Sequence, residues 1–271
     1  MNLRSDVKVN SILVNVNNHV GTISFNNEKS LNSFNNNMLS EIYDALDQFN
    51  EDLDVRVIMI RGTDKFFSAG DNLKGMSTDE NPDQKNIFDK YYEGYPRVIN
   101  KMRNLNKPVI SFVEKFAYGA AFEIVLASDF SYATNDTKFG LPFVKRGIAS
   151  GTSLLLDYID YKRATDILFT GRDVTVQEAS DYGFISEYGT KEEMSSAIDV
   201  LTEVLIQLPT ETIGLIKRSL NDNLSKPLDA RFRNQCLYTS LSATTLDFKE
   251  GHQSFIEKRE PIFNRGDSNE H

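Results

Sequence analysis

Three short, largely apolar segments constrain the fold of this chain more than any other feature. They span residues 55–60, 108–113 and 130–133, which are lengths typical of buried strands. Helical stretches alternate with them; over residues 35–49, for example, the apolar residues recur on one face of a helix. Because apolar runs without polar alternation are typical of strands covered on both faces, the pattern predicts an α/β core with largely parallel strand pairing.

The two ends of the chain carry different patterns. Alternating stretches at residues 12–16 and 20–25 flank Asn17 and Asn18 and predict a β-hairpin. From about residue 191 onward, helix periodicity dominates and strand signals nearly vanish. We therefore predict two regions, a site-bearing core over residues 1–190 and a helical region with a polar tail over residues 191–271.

One further helix is predicted between the first two buried segments. The residues that define its apolar face are Tyr91, Tyr95, Val98 and Met102.

Charge and composition disfavour several classes of function. The net charge of −9 argues against nucleic acid as a partner, because a phosphate backbone requires a cationic face. Cys236 is the only cysteine, and the three histidines are far apart, so we expect neither a disulfide framework nor a metal site. A polar N-terminus without an apolar signal region and the lack of any membrane-length apolar run favour the cytoplasm.

Two segments of small residues carry the first functional signal. Residues 67–73 and 117–123 each follow a predicted buried strand, and each contains a glycine. Small residues allow the backbone to approach a ligand closely, and unpaired N–H groups at a helix start favour a negative oxygen. Two such turns side by side would form an oxyanion hole. Either turn by itself is better explained as an ordinary tight strand-to-helix turn.

Both segments resemble signatures of the enoyl-CoA hydratase/isomerase (crotonase) family. Residues 67–74 read Phe-Ser-Ala-Gly-Asp-Asn-Leu-Lys and resemble the first signature. Residues 117–123 read Ala-Tyr-Gly-Ala-Ala-Phe-Glu and resemble the second, with alanines at its last two glycine positions. Similarity continues in collinear order over about residues 10–265, including the segments at 27–33, 170–184 and 255–263.

The resemblance implies a crotonase-like α/β fold, a spiral of ββα units followed by a C-terminal helical region that builds trimers and often hexamers. It implies a substrate that is an acyl group on coenzyme A or on carrier-bound phosphopantetheine. Coenzyme A would be part of that substrate, and no separate cofactor, metal or membrane partner is expected.

The resemblance also implies roles for individual residues. The backbone N–H groups of Asp71 and Ala120 would hold the enolate oxygen of a thioester, and Glu123 would transfer the proton. Lys29, Leu31 and Ala69 would contact coenzyme A, with Phe255 and Lys258 at its adenine and phosphate end. The complete set of implied substrate-binding residues is Lys29, Leu31, Ala69, Gly70, Asn72, Leu73, Tyr118, Gly119, Pro142, Phe143, Phe255 and Lys258. On the residues alone, the two lysines are ordinary surface lysines and Phe255 a core or interface aromatic.

Glu123 lies in the apolar run 120–127, where an unpaired carboxylate is costly to bury. Burial raises a carboxyl pKa, which suits proton transfer near neutral pH. The alternative is a carboxylate that stabilises the first turn of a helix.

The sequence departs from the family pattern at one catalytic position. Hydratases of this family use a second glutamate directly after a proline, whereas here Phe143 follows Pro142. Phenylalanine can neither accept a proton nor orient a water molecule. Hydratase-like or isomerase-like chemistry remains the leading interpretation. The alternatives are decarboxylation or another single-base enolate reaction, and a non-catalytic protein that binds acyl thioesters.

Overall fold

The computed structural model describes residues 11–63, 65–72 and 83–263. Its strands are β1 (Ile12–Asn17), β2 (Val20–Phe25), β3 (Val57–Arg61), β4 (Val109–Val113), β5 (Phe116–Tyr118), β6 (Phe130–Thr134), β7 (Lys138–Gly140), β8 (Asp173–Thr175) and β9 (Glu187–Gly189). Its α-helices are α1 (Asn36–Glu51), α2 (Gln84–Tyr92), α3 (Tyr95–Asn104), α4 (Ala120–Ala127), α5 (Tyr161–Thr170), α6 (Val176–Asp181), α7 (Lys191–Gln207), α8 (Thr210–Asn223), α9 (Leu228–Ser242) and α10 (Leu246–Glu257).

The described strands form two sheets. The larger has the order β1-β2-β3-β4-β6-β9, in which only the β1–β2 pair is antiparallel. This pair is the predicted hairpin, and its turn places Asn18 and His19 at φ of 45° and 64°, as tight hairpin turns require. The smaller sheet has the order β5-β7-β8. The predicted hairpin and parallel core are therefore confirmed.

The central strands are covered on both faces, which explains their continuous apolar sequence. Ile58 and Ile60 of β3 point into the main core, whereas Val57 and Met59 point into a second core on the opposite face. Helix α7 covers that second core with side chains that include Met194. The sheet thus separates two apolar layers.

The helix predicted around residues 91–102 is two helices, so that prediction is wrong. Helix α2 ends at Tyr92, and α3 begins at Tyr95 after Gly94. Pro96 lies in the first turn of α3, where its missing N–H is tolerated. Inside one continuous helix, the same proline would remove a hydrogen bond and clash with the carbonyl of Tyr92.

Helices α7 to α10 follow β9, the last described strand, as the C-terminal periodicity predicts. A division of the chain at residue 190 stays a prediction, and the tail from residue 264 lies outside the described residues. Lys217 on α8 joins this region to the sheet. Its buried Nζ lies 2.6 Å from Oδ2 of Asp129, which also accepts a hydrogen bond from the Val109 N–H at 2.8 Å.

We expect Lys217→Met to lower the free energy of unfolding by about 3 kcal/mol, because it leaves the partly buried Asp129 carboxylate without its cation. Urea unfolding at neutral pH measures the change. The double variant Lys217→Met/Asp129→Asn removes both charges and should lose clearly less. Equal losses in the single and double variants would show that the ion pair does not hold α8 to the sheet.

Candidate active site

The two glycine turns predicted from the sequence lie against each other. Gly70 has φ of +81°, and a Cβ atom built on it would lie 2.2 Å from the Tyr118 carbonyl oxygen and 3.2 Å from the Ala120 nitrogen. A parallel bridge between Ser68 and Ala117 aligns the two segments. Only glycine permits both this backbone angle and this approach. Close contact between the turns therefore depends on Gly70.

Two backbone N–H groups at this contact are free. Within the described residues, neither the Asp71 N–H nor the Ala120 N–H donates a hydrogen bond. Gly119 precedes α4 with φ of +54° and donates its own N–H to the Gly140 carbonyl at 2.9 Å. Asp71 is held by a parallel bridge to Phe34. The two N–H groups that are expected to form an oxyanion hole are thus available as donors. Their role in binding an oxyanion stays a prediction.

Glu123 is buried one turn into α4, with 3% of its surface exposed. Its Oε1 is buried without a hydrogen-bond partner among the described residues. Burial, reinforced by the nearby negative charge of Asp71, raises the pKa of Glu123 to about 7, although the Tyr95 hydroxyl opposes the rise. A carboxyl with a pKa near neutrality is suited to both accept and donate a proton.

Asp71 and Tyr95 complete the polar part of the site. Burial raises the pKa of Asp71 to about 6. The Tyr95 hydroxyl lies 2.8 Å from Oγ of Ser150, and burial with the charge of Glu123 raises its pKa. Sequence analysis did not identify Tyr95 or Ser150 as site residues. Tyr95 falls on the apolar face of a helix, so its periodicity indicates only a core position.

Phe143 occupies the position at which the family resemblance expects a second glutamate. Its ring is buried, and a Cβ atom built on Gly119 or on Gly151 would lie 3.3 Å or 3.1 Å from it. Pro142 begins the short 3-10 helix Pro142–Arg146 that carries the ring. The position is therefore filled by an apolar side chain that packs directly against the second glycine turn.

The predicted coenzyme A residues near the first turn are partly brought together. Ala69 donates its N–H to the Leu31 carbonyl at 3.0 Å. Leu31 is 49% exposed in a left-handed conformation with φ of 56°, directly after the short 3-10 helix that contains the exposed Lys29. Asn72 donates its N–H to the Phe34 carbonyl at 2.8 Å.

The remaining predicted contacts lie elsewhere. Phe255 is 82% exposed on α10, and Lys258 ends that helix with φ of 55°. No hydrogen bond in the described structure joins either residue to the glycine turns. Tyr118 places its hydroxyl 3.2 Å from Oδ1 of Asp173. Leu73 lies outside the described residues.

Two features of the described residues bear on other chemistries. In that part of the chain, no group of three histidine, cysteine, aspartate or glutamate side chains is placed to hold a metal ion. Nor is any helix within it both long and apolar enough to span a bilayer.

The sequence matches the family model described as Enoyl-CoA hydratase/isomerase over residues 15–266. It is 28% identical over 255 residues to 1,2-epoxyphenylacetyl-CoA isomerase of Escherichia coli K12, covering 93% of this chain and 97% of that protein. It is also 29% identical over 256 residues to trans-2-decenoyl-[acyl-carrier-protein] isomerase of Streptococcus mutans, covering 93% and 97%.

The fold is similar to that of solved structures. A crystal structure of enoyl-CoA hydratase from Bacillus anthracis superposes with a TM-score of 0.83 at 27% identity, covering 94% of this chain and 99% of that one. This likeness, together with the helices and sheets described above, confirms the predicted crotonase-like α/β fold.

The buried Glu123 carboxyl predicts a pH-dependent stability change in Glu123→Gln. Its pKa is raised above the ordinary value of 4.5, so the native state is progressively destabilised as pH rises from 4.5 to about 7 and no further above that. Glutamine does not ionise, so Glu123→Gln removes this pH-dependent destabilisation. We expect the stability gained by Glu123→Gln to be about 2 kcal/mol larger at pH 8 than at pH 5.5.

Urea unfolding at both pH values measures this difference. Glu51→Gln, at an exposed carboxyl on α1, is the matched control. A gain that is independent of pH would contradict a raised pKa for the Glu123 carboxyl.

Proposed function

The chain belongs to the enoyl-CoA hydratase/isomerase family, and from that premise we propose that it moves a proton on an acyl thioester through an enolate. It is an enzyme of the lyase and isomerase class to which its relatives belong. The observation that carries the proposal is one juxtaposition. The buried Glu123 carboxyl, whose Oε1 has no partner, lies one helical turn from the Ala120 N–H, beside the Asp71 N–H. Within the described residues, neither N–H group donates a hydrogen bond.

The reaction begins with the thioester carbonyl at the two N–H groups. The Glu123 carboxylate removes a proton from a carbon next to, or conjugated with, the carbonyl, and the electron pair moves onto the oxygen. Each N–H donor in such a hole typically contributes about 2.7–4 kcal/mol of transition-state stabilisation. Because its pKa is about 7, Glu123 can also return a proton to the enolate.

Double-bond isomerisation is the reaction that we propose first. Hydration in this family relies on two glutamates around one water molecule, and here the buried ring of Phe143 stands at the second position. Isomerisation needs a proton to leave one carbon and arrive at another, and no water is added. Two relatives, an epoxyphenylacetyl-CoA isomerase and a decenoyl-carrier-protein isomerase, bear the names of isomerases, which supports this choice.

Decarboxylation is the second candidate, and Phe143 is the observation that favours it. An apolar wall against Gly119 would promote loss of CO₂ from a substrate carboxylate by depriving that group of water. The enolate left behind would then take its proton from Glu123.

We propose coenzyme A as the thioester carrier, held by Lys29, Leu31 and Ala69, with Phe255 and Lys258 at its adenine end. The exposed Lys29 and the Leu31–Ala69 hydrogen bond at the first turn support this placement. An acyl-carrier protein is the alternative, as in the name of the Streptococcus mutans relative.

We further propose a cytoplasmic homotrimer, or a hexamer of two trimers. Helices α8 to α10 leave large apolar side chains exposed, among them Leu220, Leu228, Phe232, Leu246 and Ile256. Light scattering of the purified chain should therefore give a mass of three or six chains. A monomeric mass would contradict the proposed assembly.

The proposed function is tested with wild type and Glu123→Gln on but-3-enoyl-CoA, crotonyl-CoA and glutaconyl-CoA. We expect wild type to convert but-3-enoyl-CoA to the conjugated isomer, and to hydrate crotonyl-CoA much more slowly. Glu123→Gln should lower kcat about 100- to 10,000-fold, because amide nitrogen and oxygen cannot carry the proton. Absorbance of the conjugated thioester and product masses are the measurements.

The outcomes separate the candidates. If glutaconyl-CoA is the only substrate that reacts, with a loss of 44 mass units as CO₂, decarboxylation replaces isomerisation as the proposed reaction. Fast hydration of crotonyl-CoA would show that Phe143 does not exclude the reacting water. Turnover that survives Glu123→Gln would refute the assigned role of Glu123, and binding without turnover would leave only a thioester-binding protein.

A further inference from the structure

The proposed reaction leaves one requirement unassigned. Moving a double bond requires removal of a proton at one carbon and delivery of a proton at another, and the position of the family's second glutamate holds Phe143. A single carboxyl would have to serve both carbons in turn. A second titratable group that faces the same space would divide the task.

We propose that the side-chain carboxyl of Asp71 is a second proton-transfer residue, paired with Glu123 across the thioester site. This inference rests on the proposed function and assigns a further catalytic residue to it. The backbone of Asp71 already supplies one of the two free N–H groups, so one residue would contribute both a donor for the enolate oxygen and a carboxyl for the carbon chain.

The position of the backbone supports this pairing. Gly70 abuts Ala120, since a Cβ atom built on Gly70 would lie 3.2 Å from the Ala120 nitrogen. Glu123 is three residues beyond Ala120 and therefore on the same face of α4. Asp71 follows Gly70 and is held in place by its bridge to Phe34. Both residues thus belong to the small region around the contact between the turns.

The electrostatic interactions among Asp71, Glu123 and Tyr95 agree with this geometry. The charge of Asp71 raises the pKa values of both Glu123 and Tyr95, and the Tyr95 hydroxyl in turn affects the pKa of Glu123. Burial raises the pKa of both carboxyls. Two nearby carboxyls in a poorly solvated site resist holding two negative charges, so the pair retains about one proton between pH 6 and 7, the pKa values of Asp71 and Glu123. One member is then a base while the other is an acid.

The two carboxyls accept and supply every proton that the isomerisation moves, so no other reagent is needed. The ionised carboxyl takes a proton from one carbon, so a C–H bond breaks, an O–H bond forms and the electron pair enters the enolate. The protonated carboxyl then gives its proton to the second carbon, so an O–H bond breaks and a C–H bond forms. The pair holds one proton before and after the reaction. Its starting arrangement returns when that proton passes between the two carboxyls or exchanges with water.

Isomerisation of but-3-enoyl-CoA in D₂O tests the proposal in the wild-type enzyme. The proton removed and the proton delivered belong to different groups. In a single turnover of enzyme equilibrated in D₂O, the product should therefore contain about one solvent deuterium. A single base that returns the same proton would leave the product largely unlabelled. Unlabelled product from a single turnover would therefore overturn the pairing without recourse to any variant.

Asp71→Asn tests the residue itself, because asparagine keeps the size of the side chain and the backbone N–H. We expect kcat to fall about 100- to 10,000-fold with KM within about threefold. One limb of the pH profile of kcat/KM should disappear, and solvent label in the residual product should drop. Asp71→Glu should restore part of the rate. Asp44→Asn, at an exposed position on α1, is the matched control.

The outcomes distinguish the two proposals. If Glu123→Gln is inactive while Asp71→Asn keeps the wild-type rate, label and pH profile, the pairing is wrong and the proposed function stands. If wild type fails to turn over but-3-enoyl-CoA, the proposed function fails and the pairing fails with it. Circular dichroism and thermal unfolding verify that Asp71→Asn is folded, and should it not fold, the wild-type label and Asp71→Glu decide.

Discussion

The close approach of two backbone turns is the constraint on which the site depends. Gly70 lies so near Tyr118 that any side chain would collide with the carbonyl oxygen, at 2.2 Å from a Cβ atom. This contact sets the two free N–H groups beside each other and brings the first turn of α4 to the same point. Backbone donors held in this way need no reorganisation when negative charge develops on an oxygen.

The packing that fixes these turns extends through the whole sheet. Strands β3 and β4 are buried on both faces, which holds the ends of neighbouring strands in a rigid arrangement. Asp129 connects the start of β4 with α8 through Lys217. The C-terminal helices are thereby anchored to the strands that position the site, although they contribute no residue to the contact between the turns.

The candidate site contains a feature that destabilises the fold. Glu123 is buried with an unpaired oxygen, and the charge of Asp71 makes its ionisation more costly still. A core position filled with such a group lowers the stability of the fold at neutral pH. Phe143 has the opposite effect on stability, because its buried apolar ring packs against Gly119.

The sequence by itself determined the class of the fold and most of the site's parts. Strand-length apolar runs, the hairpin and the C-terminal helices are local patterns, and residues 67–73 and 117–123 with Glu123 are continuous motifs. Tertiary structure alone decided which groups meet. The break before α3, the hydrogen bond between Tyr95 and Ser150, and the action of Asp71 on Glu123 all join distant segments. Periodicity reports which face of an element is buried, whereas the electrostatics of a site depend on distances between elements that no local pattern contains.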